Sequence, residues 1–145
     1  MIRLATPDDI DQIAVLGERF ISESHYHRLI GISSQALRSV AEMLIREEHG
    51  FLAVDEFYGE IAGMIGCIAT IHPTSWEPVA SELFWYVPPE VRGGGLKLLF
   101  AAERWAREFG CKRCIMVSPN ARVGALYGRL GYELLETQYI KELTI

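Results

Sequence analysis

The spacing of apolar residues along the chain predicts four helices. The first begins after Thr6-Pro7-Asp8-Asp9, where Thr6 is the expected N-cap and Pro7 the first helical residue. The second begins at Ser33-Ser34, and the two later helices end at Gly110 and Gly131. Residues 22–32 lose the helical period, so we interpret them as a connector.

Shorter apolar runs predict the strands. Phe51–Phe57 and Ile61–Ile71 are expected to form a hairpin, and small residues in the second run indicate that something packs closely against it. Further strands are predicted at residues 2–5, 81–87, 114–117, 132–136 and 139–143. The predicted order is β-α-α-β-β-β-α-β-α-β-β. It gives an α/β (α+β) fold with a mixed, mostly antiparallel sheet, because the unit around residues 82–117 requires one parallel strand pair.

The composition favours one domain that spans residues 1–145. A chain of this length can bury a single core, and charges interrupt its apolar runs before they could cross a bilayer. Met1 leads directly into Ile2-Arg3-Leu4 without the apolar segment of a signal peptide, so we expect a cytoplasmic protein. The net charge of −5 disfavours broad nucleic-acid binding and mildly favours a cationic substrate.

Three cysteines could suggest redox or metal chemistry, since Cys111 and Cys114 form a C-x-x-C pair. No second ligand pair lies at zinc spacing, and the pair lacks the strand-to-helix context of a thioredoxin motif. We therefore expect buried thiols and no metal site.

Three consecutive glycines, Gly93 to Gly95, lie between a predicted strand and a predicted helix. Unpaired N–H groups and the dipole at a helix N-terminus favour a phosphate there. The spacing does not fit a Walker A loop, and a Rossmann turn would need glycine at Leu98.

The turn Arg92-Gly93-Gly94-Gly95-Leu96-Lys97 resembles the Arg/Gln-x-x-Gly-x-Gly/Ala motif of the GNAT family of N-acetyltransferases at the first two of its three defined positions. Residues 120–132 resemble the family's second signature, an Asn followed by a helix with Ala-x-x-Leu-Tyr that closes on Leu-Gly-aromatic. The predicted element order resembles the whole GNAT fold. Lys97 departs from the motif: its side chain could crowd a pyrophosphate, pair with a phosphate or point to solvent.

The resemblance implies acetyl-CoA as co-substrate, held by the turn, by the end of the preceding strand and by the second signature. Pro88-Pro89 cannot continue a strand ladder, so this strand must end or splay and can present backbone groups to an amide-bearing arm. The candidate cofactor-binding residues are Trp85, Tyr86, Val87, Arg92, Gly93, Gly94, Gly95, Leu96, Lys97, Asn120 and Tyr127.

Two residues are candidates for catalysis. The resemblance implies that Tyr127 protonates or hydrogen-bonds the departing thiolate, whereas the alternative is an ordinary core tyrosine. Glu82 is the candidate general base, and the alternative is a strand-edge glutamate in solvent. Period-2 alternation places Glu82, Phe84 and Tyr86 on one face. Asn120 could bind the cofactor or serve only as a helix N-cap.

We therefore expect an N-acetyltransferase that moves acetyl from acetyl-CoA to a primary amine by direct attack in a ternary complex. The alternative is a non-catalytic acyl-CoA-binding regulatory protein of the same fold. The expected partner is a small-molecule or peptide amine, with no nucleic acid and no membrane, and dimers common in the family make a homodimer possible.

Overall fold

The computed structural model describes residues 1–91 and 93–144, so the predicted cofactor residue Arg92 lies outside the described residues. The chain divides into two compact units, Met1–Ile115 and Met116–Ile145.

The first unit contains a five-stranded sheet. Its strands are β1 (Ile2–Leu4), β2 (Gly50–Phe57), β3 (Glu60–Ile71), β4 (Pro78–Tyr86) and β5 (Arg113–Ile115). The strands follow one another in numerical order across the sheet; β1 to β4 pair antiparallel and β5 pairs parallel to β4. These pairings confirm the predicted hairpin and the mixed, mostly antiparallel sheet.

Helices cover both faces of this sheet. They are α1 (Ile10–Glu23), the short α2 (Tyr26–Leu29), α3 (Ser34–Arg46) and α4 (Gly95–Phe109), with 3₁₀ turns at Pro7–Asp9 and Pro89–Val91. Gly63 of β3 faces Leu98 of α4, whereas Gly66, an odd number of residues along the strand, faces Leu44 of α3. The main apolar core lies between the sheet and α1 and α3, and α2 occupies part of the predicted connector.

A bulge in β4 changes which residues share a face. Phe84 lies opposite Gly66 and Glu82 opposite Cys67, so Leu83 has no residue opposite it on β3. Glu82 therefore shares the α4 face with Cys67, whereas the ring of Phe84 lies over Gly66 on the α3 face. The predicted common face of Glu82, Phe84 and Tyr86 is wrong, because the extra residue inverts the alternation between Glu82 and Phe84.

The second unit contains α5 (Ala121–Arg129). The two strands predicted at residues 132–136 and 139–143 are wrong, because residues 133–144 belong to no helix or strand. Their alternating side chains are mostly exposed, with Leu134 88% and Tyr139 93% accessible. Alternation alone does not make a strand, which also needs a neighbour to bond its backbone groups.

Within the described part of the chain, no helix combines the length and apolar character that a membrane span requires.

Candidate active site

The glycine turn joins the end of β4 to the N-terminus of α4. Gly93 has φ of +144°, which side-chain-bearing residues rarely adopt. Gly94 is the N-cap of α4, and a Cβ atom there would lie 2.3 Å from Oδ2 of Asp55. A Cβ on Gly95 would make only ordinary contacts with Val87 and Trp85, at 3.5 and 3.6 Å. The turn therefore favours glycine at position 93 for its backbone conformation, whereas a side chain at position 94 would require the Asp55 carboxylate to move.

The first turn of α4 presents backbone donors. The N–H groups of Lys97 and Leu98 both donate to the carbonyl of Gly94, at 3.1 and 3.4 Å. The N–H groups of Gly95 and Leu96 precede these bonds and have no acceptor within an α-helix. The dipole of a 15-residue helix adds partial positive charge at this end, so Gly95 and Leu96 form the centre of a potential anion site.

Lys97 lies on the exposed side of this turn. Its side chain lines a cavity of about 300 Å³ together with Asp55, Gly93 and Gly94. An exposed, flexible lysine can turn away from a bound anion or toward it. Crowding of a phosphate is therefore the least supported of the three alternatives for Lys97.

The edge of β4 that faces β5 is paired over only part of its length. The parallel pairs join Val79, Ala80 and Ser81 to β5, which ends at Ile115, whereas β4 continues to Tyr86. From Leu83 onward this edge therefore lies outside the ladder with β5. It runs directly toward the glycine turn, through the predicted residues Trp85, Tyr86 and Val87.

Glu82 directly follows the last β4 residue that pairs with β5, and it is half-buried. Burial, and secondarily the nearby charges of Glu82 and Cys114, raise the pKa of the Cys67 thiol. Because Glu82 is half-buried and lies opposite the buried Cys67, its environment differs from the solvent-exposed strand edge of the alternative. The raised pKa also makes Cys67 a poor nucleophile, because the thiolate is the reactive form.

A polar network beside the turn was missed by the sequence analysis. The hydroxyl of Tyr86 donates to Glu23 Oε2 at 2.5 Å, and Arg19 Nε donates to Glu23 Oε1 at 2.8 Å. The guanidinium of Arg19 also binds both carboxylate oxygens of Glu90, with Nη2 and Oε2 2.7 Å apart. Only the i,i+4 spacing of Arg19 and Glu23 was readable from the sequence.

The charges of this network shift the pKa values of its members. Arg19 lowers the pKa of Glu90 to about 2 through its hydrogen bonds. The hydrogen bond from Tyr86, followed by that from Arg19, lowers the pKa of Glu23. Burial and the bond to Glu23 raise the pKa of Tyr86, so its hydroxyl stays protonated and donating.

The second unit holds Asn120 and Tyr127 at opposite ends of α5. Asn120 Oδ1 accepts a hydrogen bond from the N–H of Val123 at 3.0 Å, which confirms its role as N-cap. The cap uses the side-chain oxygen and not the amide nitrogen. Tyr127 is buried, and its hydroxyl donates to the carbonyl of Val117 at 3.2 Å. The candidate residues therefore fall into two groups, one in each compact unit.

Residues 1–91 and 93–144 contain no group of three His, Cys, Asp or Glu side chains that could hold a metal ion. The three cysteines are reduced. Burial raises the pKa of both Cys111 and Cys114, which makes them less reactive than exposed thiols.

The sequence profile of the Acetyltransferase (GNAT) family matches residues 18–132. The chain therefore belongs to the GNAT family of acetyltransferases, as its two motifs predicted. Membership confirms the predicted enzyme class, an acetyl-CoA-dependent N-acetyltransferase, and acetyl-CoA as its co-substrate. No match was found among curated proteins.

Solved structures share the fold over nearly the whole chain. Aminoglycoside N-acetyltransferase AAC(6')-Iy in complex with CoA has 18% identity and a TM-score of 0.81, and the match covers 100% of this chain and 95% of that chain. AAC(6')-IG from Acinetobacter haemolyticus has 19% identity and a TM-score of 0.76, with 100% and 99% covered. A ribosomal-protein-alanine N-acetyltransferase from Brucella melitensis has 16% identity and a TM-score of 0.73, with 99% of both chains covered. At these identities the likeness confirms the fold, and the acceptor is a separate question.

Proposed function

We propose that this protein transfers the acetyl group of acetyl-CoA to a primary amine by direct attack in a ternary complex, within a single domain of residues 1–145. One observation carries the proposal: the part of the β4 edge that is not paired with β5 leads directly into a glycine turn at the N-terminus of α4. That combination fits a ligand with a pyrophosphate and an amide-bearing arm.

This geometry supports cofactor-binding roles for the β4 edge and the glycine turn, and the two motifs support roles for Arg92 and Asn120. The N–H groups of Gly95 and Leu96 bind the pyrophosphate, and the backbones of Gly93 and Gly94 allow its close approach. Arg92 and Lys97 supply positive charge. The edge at Trp85, Tyr86 and Val87 binds the amide-bearing arm, and a backbone N–H there donates to the thioester oxygen as it gains negative charge. The side-chain amide nitrogen of Asn120 donates a hydrogen bond to the cofactor.

Glu82 acts as the general base, directly or through a water molecule. A lysine-like amine with a pKa of about 10.4 must lose a proton before it attacks, which costs about 4.6 kcal/mol at pH 7. Deprotonation of an α-amine with a pKa near 8 costs only about 1.4 kcal/mol at pH 7, so such an acceptor depends less on a general base. Glu82 accepts this proton before the attack. The neutral nitrogen then bonds to the acetyl carbon to form a tetrahedral intermediate, and as this collapses the C–S bond breaks and the second nitrogen proton passes to the departing CoA thiolate.

Tyr127 stabilises the departing CoA thiolate by hydrogen bonding. To do so its hydroxyl exchanges the bond to the Val117 carbonyl for one to sulfur. The satisfied hydroxyl is also the observation that favours the second candidate function, a non-catalytic acyl-CoA-binding regulatory protein.

Thiol release from acetyl-CoA, measured across a panel of amines, tests the proposal. Wild type should turn over at least one amine, and Tyr127→Phe and Glu82→Gln should each lower kcat by about 10²-fold or more. Tyr132→Phe, which keeps the ring beside Tyr127, is the matched control and should retain activity. A protein that binds CoA but turns over no amine would support the regulatory alternative instead.

The panel should contain an aminoglycoside, a linear polyamine and a peptide with an N-terminal alanine. The similar structures include aminoglycoside and ribosomal-protein-alanine N-acetyltransferases, so both acceptor classes are candidates. The net charge of −5 favours the cationic small molecules. A homodimer, a cytoplasmic location and the absence of nucleic-acid and membrane partners stay predictions.

A further inference from the structure

The segment between β4 and α4 is attached to α1 by side chains at two successive points. At the end of β4, the ring of Tyr86 packs on Phe20 with centroids 5.3 Å apart, and its hydroxyl binds Glu23. Four residues further on, the Glu90 carboxylate is held by Arg19. Arg19 contacts Glu23 and Glu90 at once, so it joins the two attachments into one network.

The position of Glu90 makes the second attachment important for the turn. Glu90 is the middle residue of the 3₁₀ turn Pro89–Val91, just before the glycines. Among the described residues from 87 to 94, it is the one whose side chain forms an ion pair. Glycine loses more conformational freedom on ordering than any other residue, so the turn needs an outside restraint to stay in one geometry.

We infer that Arg19 is a positioning residue for the cofactor turn. By binding Glu90 and Glu23 at once, it fixes the turn relative to the end of β4 and so positions the N-terminus of α4 for the pyrophosphate of CoA. This inference rests on the proposed function, in which that N-terminus binds CoA. Arg19 itself acts through Glu90. It lies on α1, a helix that contributes none of the predicted cofactor residues.

The Arg19–Glu90 ion pair can order the turn although both side chains are partly exposed, because its geometry is favourable. An isolated exposed pair contributes little to stability, but a bidentate arginine with a second carboxylate to fix its orientation loses less entropy per bond. The expected effect is therefore local: a looser turn in the free protein and weaker CoA binding, with little change in overall stability.

Affinity for CoA, measured by calorimetry, tests the inference on the full chain. Arg19→Gln and Glu90→Gln should each weaken CoA binding by about 2- to 5-fold, as expected for loss of a well-oriented, partly exposed ion pair. The double variant should bind no more weakly than Arg19→Gln, because Glu90→Gln removes a contact that Arg19→Gln already removes. Arg19→Lys, which keeps the charge but not the bidentate fork, should fall between wild type and Arg19→Gln.

Arg38→Gln is the matched control. Arg38 of α3 forms an ion pair with Asp11 of α1, and its side chain is 37% exposed against 40% for Arg19. The control also removes an arginine ion pair to α1, at the opposite end of that helix from Glu23, so its CoA affinity should equal that of wild type.

Hydrogen exchange of the free protein provides a readout that does not depend on CoA. Arg19→Gln should speed exchange in the peptide that covers residues 87–98 and leave the core strands β2 and β3 unchanged, whereas a general structural role would speed exchange in both. Unchanged exchange in that peptide, or effects of the single variants that multiply in the double variant, would overturn the inference. A wild-type protein that does not bind CoA would refute the proposed function, and the exchange result would still decide whether Arg19 orders the turn.

Discussion

Asp9 joins the first strand to the first helix through a buried carboxylate. Arg3 of β1 donates from Nη1 and Nη2 to its two oxygens, at 2.7 and 2.9 Å, and the N–H of Thr6 adds a third bond at 2.8 Å. Arg3 is held in turn by Glu56 of β2. This arrangement combines the predicted helix start at Thr6 with a long-range ion pair that no local pattern indicated.

The stability of the protein should therefore fall at acid pH as Asp9 becomes protonated. The hydrogen bond from Arg3 is the largest cause that lowers the pKa of Asp9 from 3.8 to about 2. Because the folded-state pKa lies below the unfolded one, the stabilisation is complete above about pH 5 and is lost as the pH falls toward 2. The shift in the pKa of Asp9 corresponds to a contribution of about 2 kcal/mol to the free energy of unfolding.

Urea unfolding at pH 6 and at pH 2.5 measures this effect. Asp9→Asn should destabilise the protein at pH 6 and reduce the difference between the two pH values, since the titrating group is gone. The exposed neighbour provides the control, so Asp8→Asn should keep the full pH dependence. An Asp9→Asn protein with the pH dependence of wild type would mean that other carboxylates cause the acid loss.

At the scale of elements, β4 shows what local patterns can and cannot predict. Its existence, its end before Pro88 and the glycine turn were predicted, because each depends on the backbone preferences of a few adjacent residues. The bulge at Leu83 was not predicted, because a bulge is a property of the register between two strands. The face assigned to Glu82 failed for this reason.

The network of Tyr86, Glu23, Arg19 and Glu90 was beyond local patterns for a similar reason. Glu23 and Tyr86 lie 63 positions apart in the chain, and Arg19 and Glu90 lie 71 apart. The candidate site was thus predicted where its residues are adjacent in sequence and missed where the fold brings distant residues together. The two C-terminal strands failed in the opposite way, since the local alternation was present and the pairing was not.

The close approach of β4 to Gly66 should make that glycine intolerant of a side chain. The small residues in β3 predicted such packing, and a Cβ atom on Gly66 would lie 2.5 Å from the ring of Phe84 and 2.9 Å from Leu44. Both neighbours belong to packed elements, so Gly66→Ala should lower the free energy of unfolding by about 1–3 kcal/mol.

Chemical denaturation measures the change, with Gly128→Ala as the control. Gly128 lies in α5, and beyond its chain neighbours and the backbone of its own helix no atom lies within 4 Å of an added Cβ, so alanine there should raise stability by up to about 1 kcal/mol. Phe84→Leu in the Gly66→Ala background should recover part of the loss. If Gly66→Ala is as stable as wild type, the ring of Phe84 does not pack where the structure places it.

At the scale of the whole molecule, the central question is whether the two compact units fold as one domain. The family profile spans residues 18–132 and so includes parts of both units. Among its described residues, 116–144, the second unit has one regular element, the nine-residue helix α5, and helices of that length are marginal alone in water. Chains below about 40 residues rarely fold without disulfides, metals or oligomerisation.

We therefore expect the chain to unfold in one cooperative transition. All three tryptophans, Trp76, Trp85 and Trp105, lie in the first unit, so their fluorescence in urea reports the unfolding of that unit. Hydrogen exchange of the peptide that covers residues 121–129 reports α5. In a single domain the two probes should give the same urea midpoint, and saturating CoA should move both upward together because it binds only the native state. If α5 loses its protection at a lower urea concentration than the tryptophans change, the two units are separate folding units and the single-domain proposal fails.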